Sequence, residues 1–379
     1  MLSIAAEVAF VSVGVYLCVA LALLAWPAPA IPDVPGKAAD ELDRLLAADH
    51  LAAPAAPMYF TARDGARRLY RRYRGGGEDI LVFLHGSSSD SRYLARFATA
   101  VAAASGLTVI TPDMRGHGPE PGRRGDVDAV ERQEQDIADL IAVLSADRQP
   151  GGRWLLGGHS IGGGLAIRYA AGGQHPKPDG MILVAPYIHR MSPAARPDSG
   201  GWAKPFVTRF AGIEMMQRLG IRLFDGLPVL RFAVPPAARN GGETPVYSWR
   251  LFASVTPRPD WRGDIARIGC PLLVVAAAED SIFRAEGYRE VFKPLAGATV
   301  EVIPGIDHFQ LVTSDEPVWR IGAWWRQLGV ADTAGLGQRP APLAHSEPAR
   351  KGALTLVRVR HGPLPFPNAL TANGRGGPR

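Results

Sequence analysis

The sequence of 379 residues predicts an α/β fold with a mostly parallel sheet, from the spacing of its apolar residues and the order of the predicted strands and helices. Between residues 58 and 330, short apolar runs of strand length alternate with segments whose apolar residues recur at helical spacing. This alternation is typical of parallel strands joined by crossover helices. Ligands of such sheets bind beyond the carboxyl ends of the strands, so catalytic residues are expected directly after strands.

The predicted elements follow one another in a regular order. An opening hairpin turns at Asp64-Gly65, and the buried strand after it ends at His85-Gly86. Strands are predicted at residues 58–62, 68–73, 80–84, 107–111, 154–156, 181–184, 272–276 and 300–303. Helices are predicted around Phe97, over 126–146, around Ala166, near 284–295 and over 316–328.

An uncharged apolar segment precedes this domain. Residues 8–26 are about as long as the ~20 residues that cross a bilayer as a helix, and Trp26 marks their end. A cleaved signal peptide is the alternative, because Ala28-Pro29-Ala30 resembles a cleavage site, although no Lys or Arg precedes the apolar run. We expect residues 1–30 to be a single-pass membrane anchor or, alternatively, the signal segment of a secreted or periplasmic protein.

The formal net charge of +6 belongs to two segments. Residues 189–268 carry twelve basic and six acidic residues, and residues 331–379 carry seven basic and two acidic residues, so the rest of the chain has a net charge of −5. No recognition-helix pattern and no aromatic–basic stripe accompanies the basic residues, which argues against nucleic-acid binding. The two cysteines are too few for a disulfide framework or a multi-thiolate zinc site.

Two further regions fall outside the predicted domain. Residues 331–379 contain seven Pro and seven Gly, and we expect this tail to be disordered, with a short strand at 353–359 as the alternative. Residues 31–57 are expected to be a linker. They carry Lys37 and Arg44, whereas no basic residue precedes the apolar segment, which weakly favours a cytoplasmic domain.

The strand at residues 154–156 leads into Gly158-His159-Ser160-Ile161-Gly162, which matches the G-x-S-x-G pattern of a nucleophile elbow. A strand that turns at once into a helix forces the central residue into a strained backbone conformation, and glycines allow the two segments to approach. The hydroxyl of Ser160 is then presented at a helix N-terminus, where backbone amides favour developing negative charge. The alternative is a glycine-rich turn with an incidental serine.

A serine nucleophile needs a base and a third group that orients the base. Among the nine histidines, only His308 follows a late predicted strand and precedes a helix. The acid is expected after the strand at 272–276, which leads into Glu279 and Asp280. Asp280 is the favoured partner of the base and Glu279 is the alternative, whereas Asp307 is expected to cap its own loop.

An acyl-transfer site also needs amide donors for the oxyanion of the tetrahedral intermediate. The N–H of Ile161, directly after the nucleophile, is one candidate. The second is the N–H of Ser87, in the loop where Gly86 lets the backbone approach the substrate.

These residues resemble the α/β-hydrolase fold family over residues 58–330. The Asp-Met-Arg-Gly-His-Gly segment at residues 113–118 and the elbow are most similar to the branch of monoacylglycerol lipases, lysophospholipases and serine aminopeptidases. The resemblance implies an eight-stranded sheet with a helical cap inserted after the sixth strand, and a structural role for residues 113–118. It also implies that Ser160 is the nucleophile, His308 the base and Asp280 its partner.

Residues 189–268 interrupt the strand–helix alternation where the resemblance implies a cap. The segment is rich in apolar residues, which either seal the cap onto the body or line a channel for an acyl chain. Met215 and Met216 are the candidate channel residues, because methionine side chains adapt to irregular ligands. Interleaved arginines in the same segment suit anionic headgroups.

The sequence therefore predicts a serine hydrolase of carboxylic esters, with a lysophospholipid or a monoacylglycerol as the expected substrate and a membrane as its expected surroundings. No metal ion and no organic cofactor is implied by this chemistry. A peptidase or an acyltransferase with the same three residues is the closest alternative. A hydrolase-fold binding module without catalysis is the alternative from another class.

Overall fold

The computed structural model describes residues 2–29, 36–47, 52–119, 122–146, 151–173, 175–239 and 241–334. The chain divides into one unit at Met1–Thr333 and another at Ala334–Arg379, and the described residues belong to the first apart from Ala334. The predictions of a disordered tail and of a strand at 353–359 lie outside the described residues.

Eleven strands are present in the described residues. In chain order they are β1 (Pro57–Thr61), β2 (Arg67–Tyr73), β3 (Ile80–Leu84), β4 (Thr108–Pro112), β5 (Trp154–His159), β6 (Gly180–Val184), β7 (Ala203–Pro205), β8 (Pro228–Phe232), β9 (Val246–Ser248), β10 (Leu272–Ala277) and β11 (Ala298–Ile303). Eight of them form the central sheet, in the order β1-β2-β4-β3-β5-β6-β10-β11. The pairs β1–β2 and β2–β4 are antiparallel, and the other neighbours are parallel. The predicted eight-stranded, mostly parallel sheet is confirmed.

Ten α-helices accompany the strands in the same part of the chain. They are α1 (Leu2–Ala25), α2 (Lys37–Ala47), α3 (Ala95–Ser105), α4 (Arg132–Ala146), α5 (Ile161–Ala171), α6 (Val207–Arg218), α7 (Trp249–Val255), α8 (Trp261–Ala266), α9 (Gly287–Phe292) and α10 (Asp315–Ala334).

Four neighbouring strands of the central sheet are fully buried. Every residue of β3, β5, β6 and β10 is buried. A parallel strand buried on both faces reads as a continuous apolar run, which is why these strands were the clearest in the sequence. Each fully buried Val, Leu or Ile contributes about 1.5–3 kcal/mol through the apolar surface that it removes from water. This rigid centre carries the loops in which the predicted catalytic residues lie.

Two predicted boundaries differ from the structure. The helix predicted over 126–146 begins only at Arg132, because Asp126 accepts hydrogen bonds from Ser248 (2.6 Å) and Arg250 (2.6 Å) of the insert and so belongs to a loop. The strand predicted to end at 156 continues as β5 to His159, since Gly157 and Gly158 pair with both neighbouring strands.

The insert between β6 and β10 contains helices and a second sheet. The helices are α6, α7 and α8, as the predicted helical cap requires, and β7, β8 and β9 form a three-stranded antiparallel sheet beside them. The cap therefore follows the sixth strand as expected, but it also contains a small sheet that was not predicted.

Helix α1 packs on the cap helix α6. Arg209 of α6 donates to the carbonyl oxygen of Leu24 (3.3 Å), and the Tyr16 hydroxyl donates to the carbonyl oxygen of Met215 (3.0 Å), so the two helices are antiparallel. A Cβ atom at Gly212 would lie 2.9 Å from the carbonyl oxygen of Ala20, which makes Gly212 a point of close approach. The residues of α1 that are buried or half-buried are Tyr16, Leu17, Ala20, Leu23 and Leu24.

The first part of α1 has a different environment. Residues 6–15 are exposed on every side. Over Ala6–Ala25, α1 is long and apolar enough to cross a membrane, and a signal segment would have the same properties. Both predictions for residues 1–30 are therefore compatible with this helix.

Candidate active site

Ser160 lies at a sharp turn between β5 and α5. Its backbone has φ +56° and ψ −119°, a conformation that non-glycine residues rarely adopt. Its N–H donates to the carbonyl oxygen of Val184 (2.9 Å), and its own carbonyl oxygen accepts from the N–H of Tyr187 (2.8 Å). These bonds to the end of β6 hold the strained residue in place.

Two glycines of the predicted elbow are required by space. A Cβ atom at Gly158 would lie 2.4 Å from the carbonyl carbon of Gly162. A Cβ atom at Gly162 would lie 2.5 Å from the carbonyl oxygens of both Leu84 and His85. Because these neighbours are backbone atoms, no side chain can move aside to make room. The glycines of the motif thus allow the close approach of strand and helix that the sequence predicts.

Asp280 and His308 contact each other on adjacent loops. Nδ1 of His308 lies 2.8 Å from Oδ2 of Asp280, and both residues are 1% exposed. The other carboxylate oxygen, Oδ1, accepts from the backbone amides of Ile282 and Phe283, both at 2.8 Å. With Oδ2 facing it, Nδ1 of His308 is the protonated nitrogen, which leaves Nε2 as the basic one.

The other two acidic residues of these loops have different surroundings. Glu279, the alternative partner of the base, is exposed. Asp307 accepts from the backbone amides of Phe309 (3.0 Å) and Gln310 (2.9 Å), which is the loop-capping arrangement predicted for it. The geometry therefore favours Asp280 over both as the partner of His308.

The loop after β3 lies beside the elbow. A Cβ atom at Gly86 would lie 3.5 Å from Cβ of Ser160 and 3.3 Å from Nδ1 of His159. The N–H groups of Ser87 and Ile161 donate to no acceptor within the described residues. Both predicted oxyanion donors are thus unpaired amides beside the candidate nucleophile, which suits them to bind a developing negative charge.

His308 lies next to the elbow through the ring of His159. The two ring centroids are 4.6 Å apart, and Nε2 of His159 lies 3.3 Å from the carbonyl oxygen of His308. In the described part of the chain, neither the Ser160 hydroxyl nor Nε2 of His308 has a hydrogen-bond partner. Catalytic hydrogen bonds of this kind are often long in free enzymes and shorten when substrate binds.

The cap contributes side chains to the site. The indole N–H of Trp202 donates to the Ser87 hydroxyl (2.9 Å), and its ring lies 5.7 Å from that of Phe309, the residue after the candidate base. Met216 is 2% exposed in the apolar core, and Met215 is half-buried with its carbonyl oxygen bonded to Tyr16. A role of Met215 and Met216 in an acyl channel stays a prediction.

A residue of the predicted linker contacts the loop after β10, which carries Asp280. Glu41 on α2 accepts from the hydroxyl of Ser281 (2.8 Å), the residue after Asp280, and is 3% exposed. Burial raises the pKa of Glu41 above its usual value, and this effect outweighs the lowering by the hydrogen bond from Ser281 and the charge of Lys37. No prediction from sequence placed a residue of the linker beside the site.

Four further side chains contact the site from outside the predicted motifs. Tyr93 and Tyr247 bond the amides on either side of Ser87, and Trp202 bonds its hydroxyl. Glu41 is the fourth. Tyr93 follows Gly86 by only seven residues, so proximity could have suggested it, whereas the cap residues have no local signal. Over the described ranges, no group of three or more His, Cys, Asp or Glu side chains is placed to hold a metal ion.

Comparison with known proteins identifies the family of the chain and agrees with its fold. The family model for serine aminopeptidases, S33, matches residues 77–314. A monoacylglycerol lipase from Paleococcus ferrophilus has the same fold, with a TM-score of 0.52 and 24% identity over 69% of this chain and 98% of that one. A soluble variant of monoglyceride lipase from Saccharomyces cerevisiae gives a TM-score of 0.53 with 18% identity, over 74% of this chain and 95% of that one.

Curated relatives match over shorter or weaker stretches. Protein phosphatase methylesterase 1 from Bos taurus is 27% identical over 116 residues, so the chain spans only 30% of the length of that relative. An uncharacterised protein from Mycobacterium bovis is 25% identical over 285 residues, which is 66% of this chain and 76% of the relative. The family match covers well over half of the chain and includes the elbow and both candidate partners of Ser160. The chain therefore belongs to the serine aminopeptidase S33 family of α/β-hydrolases.

Proposed function

We propose that this protein is a serine hydrolase that cleaves carboxylic esters with Ser160, His308 and Asp280. The observation that carries the proposal is the 2.8 Å contact between Nδ1 of His308 and Oδ2 of Asp280, in a site where Ser160 occupies a strained strand-to-helix turn. Acyl transfer requires a nucleophilic hydroxyl, a base that takes its proton and a third group that orients the base.

The proposed reaction begins when the Ser160 hydroxyl attacks the ester carbonyl carbon. Nε2 of His308 takes the hydroxyl proton, and the N–H groups of Ile161 and Ser87 bind the oxyanion that forms on the former carbonyl oxygen. The ester C–O bond then breaks, and His308 gives the proton to the leaving alcohol. Water attacks the acyl-enzyme in the same way, releases the acid and restores Ser160. Asp280 stabilises the imidazolium in both halves.

The substrate is proposed to be a lysophospholipid or a monoacylglycerol. Three observations support it: solved monoacylglycerol lipases share the fold, the cap contacts the loop of Ser87, and an apolar N-terminal helix packs on the cap. As a membrane anchor, the alternative that we favour, such a helix would keep the hydrolase near lipid. As a signal segment, it would do so only until cleavage.

Labelling with a fluorophosphonate probe tests the proposal. Wild-type protein should be labelled, Ser160→Ala should not, and Ser145→Ala, which changes an exposed serine on α4, should be labelled like wild type. Equal labelling of Ser160→Ala and wild type, or no labelling of wild type, would contradict a serine hydrolase.

A peptidase is the second candidate, because the matching family is described by an aminopeptidase. A panel of p-nitrophenyl esters, lysophospholipids, monoacylglycerols and aminoacyl arylamides separates the two. Turnover of lipid esters above aminoacyl arylamides supports the lipase function. Higher kcat/KM for aminoacyl arylamides than for every ester would assign the peptidase function instead.

A further inference from the structure

Three consecutive backbone amides in the loop after β3 differ in their partners. The N–H of Gly86 donates to the hydroxyl of Tyr93 (2.6 Å), and the N–H of Ser88 donates to the hydroxyl of Tyr247 (3.0 Å). Between them, the N–H of Ser87 donates to no described residue. The loop therefore leaves one amide of the three available to a ligand, at the position of the proposed oxyanion donor.

Tyr93 is bonded in turn to the histidine that precedes the nucleophile. Its hydroxyl lies 2.9 Å from Nδ1 of His159, and Nε2 of His159 lies 3.3 Å from the carbonyl oxygen of His308. A carbonyl oxygen only accepts, so Nε2 carries the proton and Nδ1 accepts from the tyrosine. The Tyr93 hydroxyl thus accepts one hydrogen bond from Gly86 and donates one to His159.

Tyr247, on β9 of the cap, pairs with His117 in the same way that Tyr93 pairs with His159. Its hydroxyl contacts Nε2 of His117, and Nδ1 of His117 lies 3.2 Å from the carbonyl oxygen of Arg115. By the same reasoning, Nδ1 carries the proton and Nε2 accepts from Tyr247. Tyr247 thus contacts His117 of the Asp-Met-Arg-Gly-His-Gly segment, for which the family resemblance implies a structural role.

Burial keeps the four side chains in the protonation states that this pattern needs. His117 and His159 are each 2% exposed, and burial holds the pKa of both rings well below the usual value. Burial also raises the pKa of Tyr93 and Tyr247, so both hydroxyls keep their protons. A neutral imidazole has one donor and one acceptor. Each ring donates to a backbone carbonyl oxygen and accepts from a tyrosine hydroxyl.

Ser88 shows that the loop needs support. Its φ of +64° is a left-handed conformation that costs a serine free energy. The cap holds this residue from two sides, because Ser88 donates to Tyr247 and its carbonyl oxygen accepts from the N–H of Thr244 (2.9 Å). On the other side of Ser87, the carbonyl oxygen of Gly86 accepts from Nδ1 of His85 (2.8 Å).

We propose that Tyr93 and Tyr247, each with its histidine, are positioning residues that fix the N–H of Ser87 for the oxyanion. The inference rests on the proposed function, because it requires Ser87 to serve the reaction. Each tyrosine acts through a backbone amide next to Ser87. One pair connects the loop to the elbow and the other connects it to the cap, so displacement of the cap removes one of the two supports.

Hydroxyl removal tests the proposal directly. Tyr93→Phe and Tyr247→Phe should each lower kcat for a p-nitrophenyl ester about tenfold, and the double variant ~10²-fold, with KM changed less than about threefold. Loss of a whole oxyanion donor costs about 10²–10³ in kcat, which sets the upper bound. An alkyl trifluoromethyl ketone adds to the nucleophilic serine as a tetrahedral oxyanion, so its Ki should rise by the factor by which kcat/KM falls.

Replacements of the histidines that keep the hydrogen-bond acceptor should preserve activity that leucine replacements lose. An asparagine oxygen occupies the place of Nδ1 and a glutamine oxygen the place of Nε2, so His159→Asn and His117→Gln keep the acceptor for the tyrosine. Both should retain more activity than His159→Leu and His117→Leu, which lack it. Tyr169→Phe is the matched control, since the Tyr169 hydroxyl is buried without a partner among the described residues, and it should keep wild-type kcat.

The outcomes separate this inference from the proposed function. An active wild-type enzyme whose Tyr93→Phe/Tyr247→Phe variant keeps its kcat overturns the positioning role and leaves the serine hydrolase standing. A fall in kcat without a matching rise in the Ki of the ketone, at an unchanged melting temperature, also overturns it. A wild-type protein that neither hydrolyses esters nor reacts with the fluorophosphonate overturns both.

Discussion

Asp280 faces His308 across the ends of two adjacent parallel strands, with Oδ2 2.8 Å from Nδ1. The register of β10 and β11 pairs Ala277 with Ile303, so the loops that carry the two residues leave the sheet side by side. The backbone amides of Ile282 and Phe283 occupy the other carboxylate oxygen. The carboxylate is thus fixed from one side and presents a single acceptor to the ring.

Asp280→Asn is expected to abolish most of the activity, because it changes the group that faces Nδ1 of His308. The two backbone amides need an acceptor, so the asparagine oxygen stays with them and its NH₂ group faces His308. Nδ1 then has to accept, the proton moves to Nε2, and the base cannot take a proton from Ser160. We expect kcat to fall about 10³–10⁴-fold with KM nearly unchanged. Glu279→Gln, at an exposed position, should keep wild-type kcat; the reverse ranking would make Glu279 the acid.

Gly162→Ala should destabilise the protein and remove probe labelling. The added methyl group would lie 2.5 Å from the carbonyl oxygens of Leu84 and His85, which precede the proposed oxyanion donor Ser87, and the expected cost is about 1–3 kcal/mol. Gly329→Ala, on α10 with no atom within 4 Å of the added methyl, should raise the melting temperature slightly. Wild-type melting and labelling of Gly162→Ala would contradict the close packing of the elbow.

Glu41→Gln should make stability less sensitive to rising pH. Burial raises the pKa of Glu41 in the folded state, so the folded protein favours the neutral carboxyl group. The wild type is therefore most stable below the unfolded-state pKa and loses stability as pH rises through the higher folded-state pKa. Glutamine keeps a polar partner for Ser281 and does not ionise.

The comparison is made by thermal unfolding between pH 4 and 8. The melting temperature of Glu41→Gln minus that of wild type should increase with pH across this range, by about 2 °C or more if the effect reaches ~1 kcal/mol. Asp40→Asn, on the same helix at an exposed position, is the control. A difference that is constant or that shrinks with pH would contradict the raised pKa.

Gly212→Val should weaken the contact between α1 and α6. A Cβ atom there would lie 2.9 Å from both the carbonyl oxygen of Ala20 and a side-chain carbon of Leu24, so the helices must separate. We expect a loss of about 1–3 kcal/mol in the full-length protein in detergent. Gly14→Val, in the exposed part of α1 with no atom within 4 Å, should have no comparable effect. Equal melting temperatures of the two variants would argue against the packing.

The fold was predictable because its central strands are buried on both faces and are therefore plain in the sequence. Each predicted strand of the sheet corresponds to an observed one, with ends that differ by a few residues. The start of α4 was wrong because Asp126 bonds to the cap, which is more than a hundred residues away in the chain. The cap strands β7 and β9 have only three residues each, too few to show alternation.

The candidate site was predictable to the extent that it follows strand ends. Ser160, Asp280 and His308 each come after a strand and share one edge of the sheet for that reason. Tyr247 and Trp202 reach the loop of Ser87 from the cap, and only the folded chain brings them there. Helix α2 lies in the predicted linker, and its residue Glu41 meets Ser281, 240 residues further along the chain, only in the folded protein.

The packing of α1 on the cap limits how the chain can meet a bilayer. The candidate membrane span Ala6–Ala25 includes the residues that pack on α6, which lie between Tyr16 and Leu24. A helix that crossed a bilayer over this span would place those residues among lipid instead of against the cap. Crossing would therefore break its bonds to Arg209 and Met215. Spanning a bilayer and packing on the cap would thus require the same turns of α1.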